Sequence, residues 1–351
     1  MQESFSALTK LQIESESYSL ERDEVLVLPD SFLGGSAPHL RFLFLGSISF
    51  PPLPNLLLSA SNLVYLFLSR IPSGYISPKM VAALSSLTKL EVMHLFFGHP
   101  DPDFDFELKE PAPPSLTRSV LPALKGLELE GNGEYLDDFV ARINLPSINY
   151  LKVVFTNRPI LLVHLPQFIG GVEKFRSFDF AQFDLGQYTM AVTLSLQRST
   201  RGSLLEVLQL NFLCDADGPL PSLVEACNTS LLPFFNVESF DISAHLLNPD
   251  SRLVNTEDPQ WLEVLPKLSA AKSLSLGSMH IVPPVAFALK QVIEEGMTDV
   301  LPAIQRLFVS GSLPVGPVRE AIEHFVAARR LPAETLALSE WQFSAQDTCE
   351  G

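Results

Sequence analysis

The chain has 351 residues and a formal net charge of −16, a balance that argues against nucleic acid as a partner, because phosphates demand a basic footprint. Hydrophobic residues make up 46% and charged residues 18%, enough apolar surface for a continuous core. The apolar runs, such as Pro51 to Ala60, are nevertheless far too short to cross a bilayer. Cys214, Cys227 and Cys349 are too few and too scattered for a disulfide framework or a zinc site, and no charged segment followed by an apolar run opens the sequence. The expectation is a reducing compartment, cytoplasmic and/or nuclear, in which the Asn228-Thr229-Ser230 sequon has no role.

One spacing recurs from end to end. Apolar residues at the first, fourth and sixth places of a short segment appear at Leu8/Leu11/Ile13, Leu40/Leu43/Leu45, Leu63/Leu66/Leu68, Leu90/Met93/Leu95, Leu124/Leu127/Leu129 and Ile148/Leu151/Val153. They continue at Phe175/Phe178/Phe180, Leu205/Leu208/Leu210, Val237/Phe240/Ile242, Ala271/Leu274/Leu276 and Ile304/Leu307/Val309. The fullest version, Leu124 to Asn132, reads L-x-x-L-x-L-x-x-N, a leucine-rich repeat. Its apolar places point inward from a strand while the residues between them face outward. A unit of this kind cannot bury its apolar side alone, so the recurrence predicts stacking of neighbours over all of residues 1–351 as one array of about eleven units. The expected fold class is α/β: a leucine-rich-repeat solenoid with a parallel sheet on a concave face and helices on a convex one.

Between the strands, Ser77-Pro78 followed by Met80, Val81 and Leu84 combines a capping residue, a first-turn proline and an i, i+3, i+4 apolar stripe. Asp258-Pro259 before Trp261, Leu262 and Leu265 repeats the arrangement, and helices are also expected over 134–143, 283–295 and 317–330. Leu-Pro pairs at 121–122, 145–146, 265–266 and 301–302 stop each helix and turn the chain into the next strand. The asparagine that forms a ladder after the strand in regular repeats occurs at Asn132, but its place holds Ile48, Ile71, Thr156, Phe183 and Leu213 elsewhere. Apolar residues are expected to fill that corner. The first strand, near Leu8, has nothing before it to cap it, so this end is expected to be covered by further chain or a partner, or to associate end to end.

Residues 99–118, rich in proline and acid, are expected to form a solvated loop, and the tail 342–351 to be disordered. Asp101-x-Asp103-x-Asp105 resembles the opening of a calcium loop, but Phe106 stands where glycine is needed and Ala112 where glutamate is needed. No phosphate-cradling glycine loop, nucleophile elbow or metal-spaced histidine set is present. The expectation is a non-enzymatic chain with no cofactor and no metal.

The runs Val27 to Arg41, Tyr75-Ile76-Ser77-Pro78, Glu134 to Asp138 and Gly316 to Ile322 resemble the leucine-rich-repeat region of the large F-box protein family of mushroom-forming fungi, over nearly the whole chain. The resemblance implies that the repeats present a substrate to a cullin-RING ubiquitin ligase. In that family an N-terminal F-box binds the Skp1 adaptor. Residues before Leu8 cannot hold an F-box, so the resemblance carries only the recognition role, and Skp1 or cullin would be partners only through an upstream F-box.

The recognition surface is expected on the outward places of the strands: Phe42, Phe44, Tyr65, Phe67, His94 and Phe96, then Glu128, Glu130 and Lys152, and later Asp179. Aromatic residues beside acidic ones on one sheet suit a hot spot that binds a protein through basic and apolar anchors. The bland alternative is that the 99–118 loop covers those rings as ordinary core.

Overall fold

The computed structural model describes residues 7–15, 28, 32–48, 53–71, 78–98, 118–157, 162–196, 207–214, 218–229, 231–232, 234–245, 259–309 and 316–331. The acidic segment 99–117 and the tail 342–351 lie outside the described residues. The strands, in chain order, are β1 (Lys10–Glu14), β2 (Phe42–Gly46), β3 (Tyr65–Ile71), β4 (Val92–Phe97), β5 (Ser119–Val120), β6 (Gly126–Gly131) and β7 (Ile143–Asn144). They continue with β8 (Tyr150–Phe155), β9 (Phe180–Gly186), β10 (Thr189–Ser195), β11 (Val207–Leu213), β12 (Ser239–His245), β13 (Ser273–Leu276) and β14 (Arg306–Val309). The helices are α1 (Leu53–Ser59), α2 (Pro78–Ser85), α3 (Gly133–Ala141), α4 (His164–Gly171), α5 (Pro219–Asn228), α6 (Trp261–Val264), α7 (Val282–Glu294) and α8 (Pro317–Arg329). The class is mixed α/β with a mostly parallel sheet, divided between two units.

The first unit comprises Met1–Ser177 and Arg198–Leu213. Its strands run β1-β2-β3-β4-β6-β8-β11, each parallel to its neighbour. Register follows the apolar spacing: Leu43 lies opposite Leu66, Leu66 opposite Met93, Met93 opposite Leu127, Leu127 opposite Leu151 and Leu151 opposite Leu208. All six are fully buried, as is the parallel row Leu45, Leu68, Leu95, Leu129, Val153 and Leu210. A one-residue slip would turn both rows to solvent, which is why the period of two fixes this pairing. β1 ends the order, and its Leu11 and Ile13 are only half-buried.

Helices form where sequence chemistry permits them. α2 begins at Pro78, whose missing N–H costs nothing at a first turn. Asn132 does not build a ladder; its Oδ1 accepts the Glu134 backbone N–H at 3.0 Å and so caps α3. Of the residues at its place elsewhere, Ile48 and Ile71 are buried as expected, whereas Thr156 is half-buried and Leu213 is exposed. α4 has no side-chain cap of its own at Val163. The buried Asp137 of α3 supplies one from the preceding helix, accepting the backbone N–H groups of Val163, His164 and Leu165 at 3.2, 2.8 and 2.7 Å. Gly131 sits so close to Phe97 that an added Cβ would lie 2.9 Å from the Phe97 Cβ.

The second unit comprises Phe178–Gln197 and Cys214–Gly351. Its strand order is β10-β9-β12-β13-β14, parallel except for the antiparallel hairpin of β9 and β10. Two expectations are corrected here. The repeat assigned to Phe175/Phe178/Phe180 is shifted by three residues: Phe178, Ala181 and Phe183 are the buried places, Ala181 lies opposite Phe240, and Phe175 belongs to a 3-10 turn over Glu173–Ser177. Stacking is also not in simple chain order, because β11 rather than β9 lies beside β8. The physical reason is β10, whose alternating Met190, Val192 and Leu194 are buried and pair back onto β9 through a turn of only two residues. That turn needs Gly186, where a Cβ would lie 2.5 Å from Thr189 Oγ1. The helix expected after Pro259 is a single short turn, α6, continued as 3-10 over Leu265–Lys267; its Trp261 is fully buried. Phe234 packs edge-on against Phe183 and Phe240 at 5.7 and 5.6 Å, and Arg329 of α8 donates to the Val300 carbonyl at 2.6 Å.

Candidate functional site

In the first unit the outward places of β2, β3 and β4 carry rings. Parallel pairing sets Phe42 directly opposite Tyr65 and Phe44 opposite Phe67. Strands lie roughly 4.8 Å apart, close to the separation at which aromatic faces stack. The rings therefore stack: Phe42 on Tyr65 at 4.6 Å and 5°, Phe44 on Phe67 at 4.1 Å and 8°. β4 closes the row, with His94 tilted 5.4 Å from Tyr65 and 5.9 Å from Phe67, and Phe96 edge-on to Phe67 at 5.1 Å. All six side chains are half-buried. At the other end Lys10 Nζ stands 4.9 Å over the Phe42 ring, a cation–π contact that sequence spacing did not single out.

Beyond the rings the face turns polar. Glu128 of β6 lies opposite His94 and Lys152 in the sheet register. His94 Nδ1–H donates to Glu128 Oε2 at 2.8 Å, and Lys152 Nζ donates to Glu128 Oε1. An ionised carboxylate only accepts, so the proton of the first bond belongs to the histidine. Side-chain exposures of 21%, 14% and 26% for His94, Glu128 and Lys152 mean the trio is largely shielded from water. Burial pushes the Glu128 carboxyl up, but the hydrogen bonds and charges of His94 and Lys152 outweigh it and hold it below its ordinary value. Burial pushes the Lys152 ammonium down, and its bond to Glu128 more than reverses this, leaving it raised. Tyr65 and Tyr150, whose phenols flank the trio, are raised by burial and by the Glu128 charge. Tyr150 is a member of this face that was overlooked, although it occupies the third place of its repeat.

Of the expected residues, the first unit thus brings together Phe42, Phe44, Tyr65, Phe67, His94, Phe96, Glu128 and Lys152, with Glu130 half-buried two places along β6. Asp179 is placed differently. It precedes β9 in the second unit, where its carbonyl accepts the Glu238 and Ser239 backbone N–H groups, as the Arg41 carbonyl accepts those of Val64 and Tyr65. The outward places of that strand are Phe180, Gln182 and Asp184. There Gln182 donates to both Asp184 oxygens at 3.1 and 3.0 Å, and Ser243 Oγ donates to Asp184 Oδ1. Burial, helped by the Asp184 charge, raises the neighbouring Asp241 carboxyl, whose Oδ1 is buried without a hydrogen-bond partner.

Chemically, the first unit's face offers flat apolar area, a neutralised ion-pair trio and outward backbone-spaced side chains. Among the described residues, no hydroxyl or thiol is hydrogen-bonded to His94, and no group of three metal-ligating side chains converges. No helix among the described residues is long and apolar enough to cross a membrane. The sequence matches no protein-family model, and no curated protein matches it significantly.

Proposed function

We propose that the chain is a leucine-rich-repeat recognition array, that the outward sheet face of its first unit binds a protein, and that it serves as the substrate-recognition part of an F-box-type ubiquitin ligase component without enzymatic activity of its own. The observation that supports the binding role is the double stack of Phe42 on Tyr65 and Phe44 on Phe67, on the sheet face opposite the buried leucine rows. Stacked rings are already ordered, so a partner gains their contact area at little further entropy cost. The ligase assignment rests on the family resemblance. The second reading, a ligase-independent scaffold, needs the same surface and no adaptor.

The structure also changes the partner's expected chemistry. A basic anchor would have found Glu128 free, but its charge is answered by His94 and Lys152. The apolar anchors remain, and only Glu130 is left on that strand as an outward carboxylate.

Two variants in one chain test the binding role. Replacing Phe44 and Phe67 together by alanine is expected to weaken partner capture at least about tenfold in a chain that still folds, because neither ring lies in the buried rows. Unchanged capture would refute the assignment. Co-purification with Skp1 of the protein expressed from its own gene separates the two biological readings: binding is expected on the ligase reading, and its absence supports the scaffold.

A further inference from the structure

Where the strands of the first unit begin, their lead-in residues form a notch of about 460 Å³ lined by Ala7, Thr9, His39, Arg41, Asn62, Val64 and Lys89. It contains three basic side chains and no acidic one, in a chain whose net charge is −16. Its walls are held by the backbone: Arg41 N–H donates to the Thr9 carbonyl at 2.8 Å and Val64 N–H to the Arg41 carbonyl at 2.8 Å. Its floor is tied by side chains, with Lys89 Nζ donating to Asn62 Oδ1 at 2.7 Å and Asn62 Nδ2 to the Pro38 carbonyl at 2.8 Å. Asn62 satisfies the lysine as a neutral acceptor and so leaves its charge uncancelled. Among the described residues no carboxylate pairs with His39, Arg41 or Lys89, whereas in the next rung Glu91 pairs with Lys125 at 3.1 Å.

Position gives the notch its meaning. Arg41 immediately precedes Phe42 and Val64 immediately precedes Tyr65, so the notch lies at the strand ends that lead into the stacked rings, and Lys10 stands over Phe42. We propose that this notch receives an anionic side chain of a protein partner, carboxylate or phosphorylated, whose neighbouring aromatic or aliphatic residue lies on the Phe42–Tyr65 stack. The proposal rests on the recognition role of the ring face and names the kind of partner that face takes. Charge complementarity carries it: a guanidinium and an ammonium set in one concave site favour a group that can accept several N–H donors at once.

The test uses the full chain and three probes at constant ionic strength: acetylated amides of phosphoserine, of glutamate, and of a Phe-phosphoserine-Leu tripeptide, followed by isotope-edited NMR and by anisotropy of the labelled tripeptide. Saturable shifts at Arg41 and Val64 are expected with at least one single-residue probe, and the tighter of the two names the anion's source. The R41A/K89A variant is expected to lose at least about tenfold in affinity for that probe, and the F44A/F67A variant to keep it. The tripeptide is expected to bind about tenfold more tightly than phosphoserine alone, with the gain lost in F42A. The absence of saturable shifts, or equal binding by R41A/K89A, would overturn the site; tripeptide binding no tighter than phosphoserine would leave a small-anion site and overturn the peptide assignment. Retention of anion binding by F44A/F67A together with unchanged partner capture would defeat the ring-face reading while sparing the notch, so the two fail separately.

Discussion

Glu128 accepts from both His94 and Lys152, and the energetics of the ring face turn on that single carboxylate. Glu128→Gln would keep its shape and remove the carboxylate to which both His94 and Lys152 donate, so a loss of about 1–2 kcal/mol is expected in chemical denaturation. The pH dependence has a definite sign. Because the folded carboxyl sits below its ordinary value, its contribution is present above the usual carboxylate range and is lost as pH falls through the folded value. Lys152, raised in the folded state, holds its contribution up to the ordinary lysine range and loses it as pH rises through the folded value. The stability difference between wild type and E128Q should therefore narrow on acidification through the folded carboxyl's range. Asp241 behaves oppositely: burial raises it, so the ionised form costs stability at neutral pH. Asp241→Asn is expected to stabilise by on the order of 1 kcal/mol at pH 7, with the gain vanishing as pH falls into the carboxylate range, where Asp241 itself is protonated.

At the scale of the element, several helices depend on groups outside themselves. α4 draws its N-terminal cap from Asp137 on α3, and Asp137→Ala is expected to cost about 1–2 kcal/mol and to raise hydrogen exchange at Val163, His164 and Leu165. Strand positions were readable because leucine spacing and period-two burial are the same statement made twice: Leu40, Leu43 and Leu45 show it, as do Leu124, Leu127 and Leu129. The β9 region was not, because Phe175, Phe178, Ala181 and Phe183 offer two overlapping matches, and an alanine in the middle of one hides the correct register. β10 escaped notice because its Gly186-Gln187-Tyr188-Thr189 turn carries no Asn-Gly or Asp-Gly signal. Asp137 could not be read as a cap at all, since the backbone N–H groups that donate to it lie 26 to 28 residues away.

Across the first unit, the in-register rows Leu43 to Leu208 and Leu45 to Leu210 make burial cooperative between strands. Leu127, flanked on both sides, is a sensitive point, and Leu127→Ala is expected to cost about 2–5 kcal/mol by denaturant unfolding. The same register that buries the leucines stacks the rings on the opposite side, so one spacing rule produces both the core and the candidate surface. The ring row was legible from the third and fifth places of each repeat, and so was Glu128. Its neutralisation was not, because the partners His94 and Lys152 are 34 and 24 residues away and meet it only through the sheet. The cationic notch was hidden for a related reason: Arg41, Asn62 and Lys89 sit before three different strands and become neighbours through pairing.

The most direct measurement compares proteins captured by wild type with those captured by F44A/F67A, the two chains matched for melting temperature. At least about tenfold loss of the wild-type partners from the variant is the predicted result. An identical set, captured equally well by both, would contradict the claim that this ring face is where the chain recognises other proteins.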